Sequence, residues 1–237
     1  SDRESARFTN LSTLGDAPAK VLADPTATKQ AVRIAEAIAF RAPERIAKRF
    51  TRTKAGQERL RLRVRLVETL QNREALEAMP AGSLADHYLR FIDAEGITPD
   101  GLVEASEEGK SHDRAPDAEF VGGEMRDMHD LWHVVTGYQT DLLGEAALLA
   151  FSSAQLRHPG VGFIAAVAMV LADTPYYRRF IMKGFWQGRQ AAWLPGQSWE
   201  SLLPKPLSEV RAILGIEAIG PYAEVRDVRL SELTNAA

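Results

Sequence analysis

The segment His129-Asp130-Leu131-Trp132-His133, followed after eleven residues by Glu145, gathers two imidazoles and two carboxylates of the kind that hold a divalent cation. On a helix turning about 100° per residue, His129 and His133 stand about 40° apart, and Asp130 borders their face. Thr136-Gly137 then supplies a helix stop, and Thr140 or Asp141 an N-cap ahead of the apolar run Leu142 to Phe151. That puts Glu145 in the first turns of a second helix, which a short connection folds back against the first. All four candidate ligands are nitrogen or oxygen, a set that suits zinc and equally Fe(II), Mn(II) or Co(II). Two His at i, i+4 are common without a metal, and an Asp beside one serves as readily for a cap or a hydrogen bond. Leu131, Trp132, Val134 and Val135 nevertheless predict a buried helix. Buried His and Asp need partners, and one shared cation would satisfy all of them.

The surrounding pattern predicts helices that hold this pair in place. Asp24-Pro25 opens one that runs to about Ala39, and Pro43 starts another with Ile46, Ala47 and Phe50 inward. Arg59 to Leu66 alternates with a strand-like period and reads as an extended connector. Leu70 to Met79 reads as a helix ended by Pro80, and Ser83 caps the next, with Leu84, Tyr88, Phe91 and Ile92 inward. Residues 100–120 read as a polar loop or short exposed helix carrying His112. After His158-Pro159-Gly160, the uncharged run Val161 to Ala172 is far shorter than the roughly twenty residues a bilayer needs. Its small residues Gly162, Ala165, Ala166 and Ala168 suit either close helix packing or a wall for a slender lipid tail. Asp173-Thr174-Pro175 opens a helix to about Trp193, Ser198 caps a short turn, and Leu207 to Leu214 closes at Gly215. The sum is an all-α, single-domain helical bundle with the metal site between two antiparallel helices. Residues 1–20 read as a flexible N-terminal arm, 21–222 as the domain and 223–237 as a tail.

Composition narrows the function classes. A net charge of −3 supplies no global basic field for nucleic acid, and the absence of cysteine rules out disulfides, Fe–S clusters and thiolate zinc sites. The stretch from Ser1 to Ala19 has neither a signal-like apolar core nor an Arg-rich presequence, so the expected home is the bacterial cytoplasm. Between Arg41 and Arg65, ten Lys or Arg face two Glu. A solvated face would explain this, but the interleaved Ile46, Phe50, Leu60, Leu62, Val64 and Leu66 favour proximity to an anionic membrane, peripheral to the inner membrane.

The motif His129-Asp130-x-x-His133-x11-Glu145 resembles that of the coenzyme Q (ubiquinone) biosynthesis protein 4 family. Arg126, Leu143-Gly144-Glu145, Gly188-Arg189-x-Ala191 and Trp199-Glu200 match the family as well. So does Met79-Pro80-Ala81-Gly82-Ser83-Leu84 with Tyr88, and the likeness runs from about Leu22 to about Pro221. The chain departs from the family at His158-Pro159-Gly160 and at Trp193. The resemblance implies a helical zinc protein of ubiquinone biosynthesis whose metal ligands are His129, Asp130, His133 and Glu145. Its implied reaction is oxidative decarboxylation, a metal-dependent loss of the C1 carboxylate of a polyprenyl-hydroxybenzoate with hydroxyl in its place. Arg126 and Arg189 would be charge partners for that substrate. Implied partners are the polyprenylated aromatic lipid, a second copy in a homodimer, a membrane surface and other enzymes of the pathway, with no nucleic acid.

Two other readings stay open on the residues alone. The chain could be a non-catalytic scaffold that binds the isoprenoid quinone precursor around a structural metal. It could also be a metal phosphohydrolase, although His87 and His112 substitute poorly for the extra ligands such enzymes use.

Overall fold

The computed structural model describes residues 34, 38–39, 41–97, 115–172 and 174–224 of the chain. Helix α1 (Ala42–Phe50) starts with Pro at its first turn and buries Ala42, Ile46, Ala47 and Phe50. Thr53 caps α2 (Lys54–Leu62) by accepting from the Gly56 N–H, and Arg63, at φ 56, ends it. Two short helices follow, α3 (Leu66–Leu70) and α4 (Arg73–Glu77), where the sequence suggests one. Ser83 caps α5 (Leu84–Glu95), whose buried face is Leu84, Ala85, Tyr88, Leu89 and Ile92. Next come α6 (Pro116–Asp127) and α7 (His129–Thr136), and then α8 (Leu142–Leu156) and α9 (Pro159–Leu171). The chain goes on to α10 (Pro175–Gln190), a 3-10 turn (Leu194–Gly196), α11 (Trp199–Leu202) and α12 (Leu207–Leu214). Among the described residues there is no β-strand, only an isolated bridge between Ser83 and Pro206.

Helix α8 is the centre of the packing, with α10 and α9 laid against it. Gly184 and Gly188 make the α8–α10 approach possible. A Cβ at either would lie 2.2 Å from the Ala147 carbonyl oxygen or 2.4 Å from that of Phe151, closer than any side chain tolerates. Helix α7 packs chiefly on α5 and α12. The two helices that carry the metal-ligand candidates therefore each lean mainly on other elements and meet through residues 137–141.

The stretch Arg59 to Leu66 is not the extended connector its alternation suggests, since it is helical through Leu62. The pattern misleads because Arg59 belongs to the interior. Its guanidinium pairs with the fully buried Glu124 of α6 and, at 2.7 Å, with Glu200. Glu124 also accepts the Leu66 N–H at 2.9 Å, and Asp127 takes a two-pronged bond from Arg65 at 2.9 and 2.7 Å. Arg59 and Arg65 are thus spent inside the fold, clamping α2 and α3 to the helix that leads into α7, while the other eight basic residues of the stretch stay exposed. Burial raises the Glu124 carboxyl above the usual carboxylate range despite the Arg59 charge beside it. Of residues 100–120, expected as a polar loop or a short exposed helix, those from Pro116 on belong to α6, and those up to 114 lie outside the described residues. The expected arm, residues 1–20, lies outside the described residues, as do most of the first expected helix, the tail beyond Glu224, and His112.

Candidate metal centre

Helix α7 follows α6 after a single intervening residue, the buried Met128, and its apolar residues Leu131, Trp132, Val134 and Val135 anchor it in the core. Gly137, at φ 84, closes it as the helix stop in the sequence requires. The last carbonyls are then taken up from far along the chain. Arg211 donates to Val135 and Val134 at 2.9 and 3.0 Å, and the Ile219 N–H donates to Thr136 at 2.9 Å.

The connection to α8 is pinned in the same way. Asp141 is the N-cap, accepting from the Leu143 N–H, and its other oxygen accepts the Tyr222 hydroxyl at 2.5 Å. That hydroxyl in turn accepts the Gln139 N–H at 3.0 Å. Gly144 fits because a Cβ there would lie 2.1 Å from the Gln139 carbonyl and 2.4 Å from the Tyr222 hydroxyl. Glu145 is the next residue, so its position is fixed by this tightly filled corner.

Within this frame, the ligand atoms of His129, His133 and Glu145 all lie within 4.8 Å of one another. His133 Nδ1 is 2.8 Å from the Tyr138 carbonyl oxygen. A carbonyl only accepts, so Nδ1 carries a proton, and in the neutral imidazole Nε2 is the lone-pair nitrogen. That Nε2 is buried, has no hydrogen-bond partner, and faces Glu145 Oε1 at 3.3 Å. With the ring neutral, two acceptors point at one another, an arrangement a shared cation relieves. Donors about 2.1 Å from one ion lie at most about 4.2 Å apart, so small side-chain rotations would close the triad around it. The His133 side chain is 1% exposed, whereas Glu145 is 37% and His129 46% exposed, so the site opens on one side. The donor set and its open side fit a divalent cation with positions left for water or substrate.

Asp130, expected as a fourth ligand, lies outside the triad. Its Oδ1 is 3.4 Å from His129 Nδ1, where it orients the imidazole as carboxylates beside metal-bound histidines do. Burial lowers the basicity of His129, but the Asp130 contact and the charges of Glu145 and Asp130 outweigh it and raise its pKa above the ordinary value. Arg126 lies on α6, 3.7 Å from Glu119. Arg189 is not at the triad. It is exposed on the last turn of α10 and lines a separate cleft with Arg49 and Arg157. His87, on α5, is held below its usual pKa by burial and by the charge of Arg90.

The sequence reading missed the supporting residues. Phe91 stacks on the His133 ring with centroids 5.4 Å apart, and Tyr88 from the same helix buries its hydroxyl nearby. Burial first, and then the charges of Asp130 and Asp127, push the Tyr88 phenol far above its usual range, so it keeps its proton. The apolar spacing marked both as core. Nothing local to Tyr138, Arg211 or Tyr222 signals a role at the site.

The family model for Coenzyme Q (ubiquinone) biosynthesis protein Coq4 matches residues 5–220. The chain belongs to this family. Among curated relatives, the mitochondrial ubiquinone biosynthesis protein coq4 of Talaromyces stipitatus is 30% identical over 174 residues, covering 72% of this chain and 59% of its own. The corresponding Aspergillus terreus protein is 31% identical over 174 residues, with the same coverage. The chain therefore spans only 59% of the length of these Coq4 relatives. A crystal structure of a candidate ubiquinone biosynthesis protein from Nostoc punctiforme has the same fold. Its TM-score is 0.58 at 22% identity, covering 85% of this chain and 96% of that one. The expectation of a bacterial cytoplasmic protein, peripheral to the inner membrane, is corrected by the curated Coq4 relatives, which are named mitochondrial. That expectation rested on the composition of residues 1–19, which carries no information about compartment here. Among the described residues no helix is long and apolar enough to cross a membrane.

Proposed function

We propose that this Coq4-family chain acts in ubiquinone biosynthesis as a metal-dependent decarboxylase. It would release the C1 carboxylate of a polyprenyl-hydroxybenzoate ring as CO2 and leave hydroxyl at C1, with one atom of dioxygen entering the ring and the other leaving as water at the expense of a two-electron external reductant. The observation that carries the reading is the bare, buried Nε2 of His133 facing Glu145 on the open side of His129. His129, His133 and Glu145 would hold the cation, with Asp130 steering His129. From the family resemblance the cation is zinc, and the same donors accept Fe(II), Mn(II) or Co(II). When bound, it supplies Lewis-acid polarisation of the substrate carboxylate or the adjacent phenolate.

The remaining work belongs to the chain. The Tyr138 carbonyl keeps the His133 proton away from the site. Tyr88, held as a neutral phenol, adds no negative charge near an anionic substrate. Arg126 is the proposed charge partner of the carboxylate. A lipid tail would suit the apolar cleft of about 200 Å³ lined by Gly162, Ala165 and Ala166 of α9 and by Met182 and Phe185 of α10. Val170 of α9 and Tyr176 and Trp186 of α10, exposed on the two helices that line this cleft, support contact with membrane lipid. Assembly as a homodimer and with other enzymes of the pathway completes the proposal.

The test is to load the protein with Zn, Fe(II), Mn or Co and supply carboxyl-labelled polyprenyl-hydroxybenzoate under air with a two-electron reductant such as ascorbate. Labelled CO2 should be released and should vanish in His133→Ala. Tight lipid binding without release under any metal would contradict the enzymatic reading and leave the scaffold.

A further inference from the structure

At the end of α8 remote from the triad lies a cleft of about 140 Å³ whose chemistry the metal site does not use. Three arginines from three elements line it: Arg49 on the last turn of α1, Arg157 at the close of α8, and Arg189 on the last turn of α10. No acidic side chain lines the cleft, and among the described residues none of the three forms an ion pair. Arg157 is set in place by a left-handed backbone, φ 50, at the helix end. The Arg49 guanidinium lies over the Trp193 ring, 4.2 Å from its centroid, which fixes the plane of that fork. Burial and the neighbouring Arg157 charge both make Arg49 less basic than usual, a sign that the positive charges crowd one another.

The cleft is built on a rigid base. Gln155 is 3% exposed and spends its amide on backbone, donating to Gly188 and Ala192 at 2.7 and 3.1 Å and accepting from the Leu194 N–H at 2.9 Å. It locks the α8 terminus to the end of α10, so Arg157 and Arg189 cannot separate freely. Guanidinium groups at close quarters repel, and the arrangement is relieved by an anion with several acceptor oxygens. We propose that Arg49, Arg157 and Arg189 form a binding site for a phosphate-type anion. The site stands about 18 Å along α8 from Glu145, too far for one small anion to touch both. It is therefore independent of the metal reading. The same phosphate chemistry is offered by a free phosphate or diphosphate and by a phosphomonoester lipid headgroup.

Calorimetric titration with inorganic phosphate and diphosphate probes the free anion. Sedimentation with phosphatidylcholine vesicles, with and without phosphatidic acid, probes the headgroup. Arg157→Asn and Arg189→Gln, both at exposed positions, should each weaken binding about ten-fold, as loss of a charge-assisted bond does. Lys183→Gln removes the same charge from another exposed position on α10 and should change little. Arginine-dependent binding of free phosphate or diphosphate identifies the free anion as ligand. Arginine-dependent binding of phosphatidic acid vesicles alone identifies the headgroup. The proposal is overturned if neither probe binds, or if Lys183→Gln weakens binding as much as the arginine variants do.

Discussion

His133 Nε2 and Glu145 Oε1 face each other across 3.3 Å, and with the neutral ring's proton held on Nδ1 by the Tyr138 carbonyl both are acceptors. A cation satisfies both groups at once, and so does replacing the carboxylate by a donor. Glu145→Gln should therefore split two properties that usually move together. Its amide can donate to Nε2, so the metal-free variant should gain about 1 kcal/mol, the net worth of a neutral hydrogen bond. The rise in Tm on adding zinc should be lost. Thermal melts of both proteins in chelator and in zinc check this, and a variant less stable than wild type in chelator counts against the geometry.

The pH dependence follows from His129, whose pKa is raised above 6.5 because its carboxylate neighbours outweigh burial. A histidine raised in the folded state contributes stability at pH below its unfolded value and loses it as pH climbs through the folded one. Metal-free protein should thus weaken through the window just above pH 6.5. Affinity for a cation should rise over the same window, since proton and metal compete for the ring. Melting curves from about pH 5.5 to about 8.5, with and without zinc, should diverge as pH rises. Parallel curves would show that His129 is not a ligand.

The Arg59 network separates a buried partner from an exposed one. Glu124 is fully buried and Glu200 is 44% exposed. Glu124→Ala leaves a buried guanidinium short of its main partner and should cost about 3–5 kcal/mol. Glu200→Ala should cost less than about 1 kcal/mol. Urea denaturation measures both, and equal losses would contradict the burial argument.

Tyr222 acts on the site only through the corner it fills. Tyr222→Phe removes the acceptor of the Gln139 N–H and one donor to Asp141 and should cost about 1–3 kcal/mol. Zinc affinity should fall with it, because Asp141 and Gly144 set the position of Glu145. Unchanged affinity in a destabilised variant would show that the corner supports the fold alone.

Sequence periodicity reveals the parts of this fold governed by neighbouring residues. Gly137, Asp141, Thr174 and Gly215 end or cap helices where their side chains and φ preferences say they should. His129, His133 and Glu145 are legible for the same reason, since the helix repeat and one short connection relate them. Contacts between distant segments are not legible. Arg211 is 76 residues from the Val135 carbonyl it caps, and Tyr222 is 81 from Asp141. Arg59 misleads because a charged side chain occupies a core position, where polarity no longer reports exposure. Asp130 shares the motif but points to His129 rather than to the common centre, a distinction of side-chain rotation that spacing does not encode.

The central claim is that His129, His133 and Glu145 close around one divalent cation. Its most direct test is calorimetric titration of chelator-treated protein with zinc, wild type beside a His129→Ala, His133→Ala double variant. The account predicts one equivalent bound per wild-type chain and a loss of at least about a hundred-fold in the variant. Zinc bound equally well by both, or by neither, would contradict it.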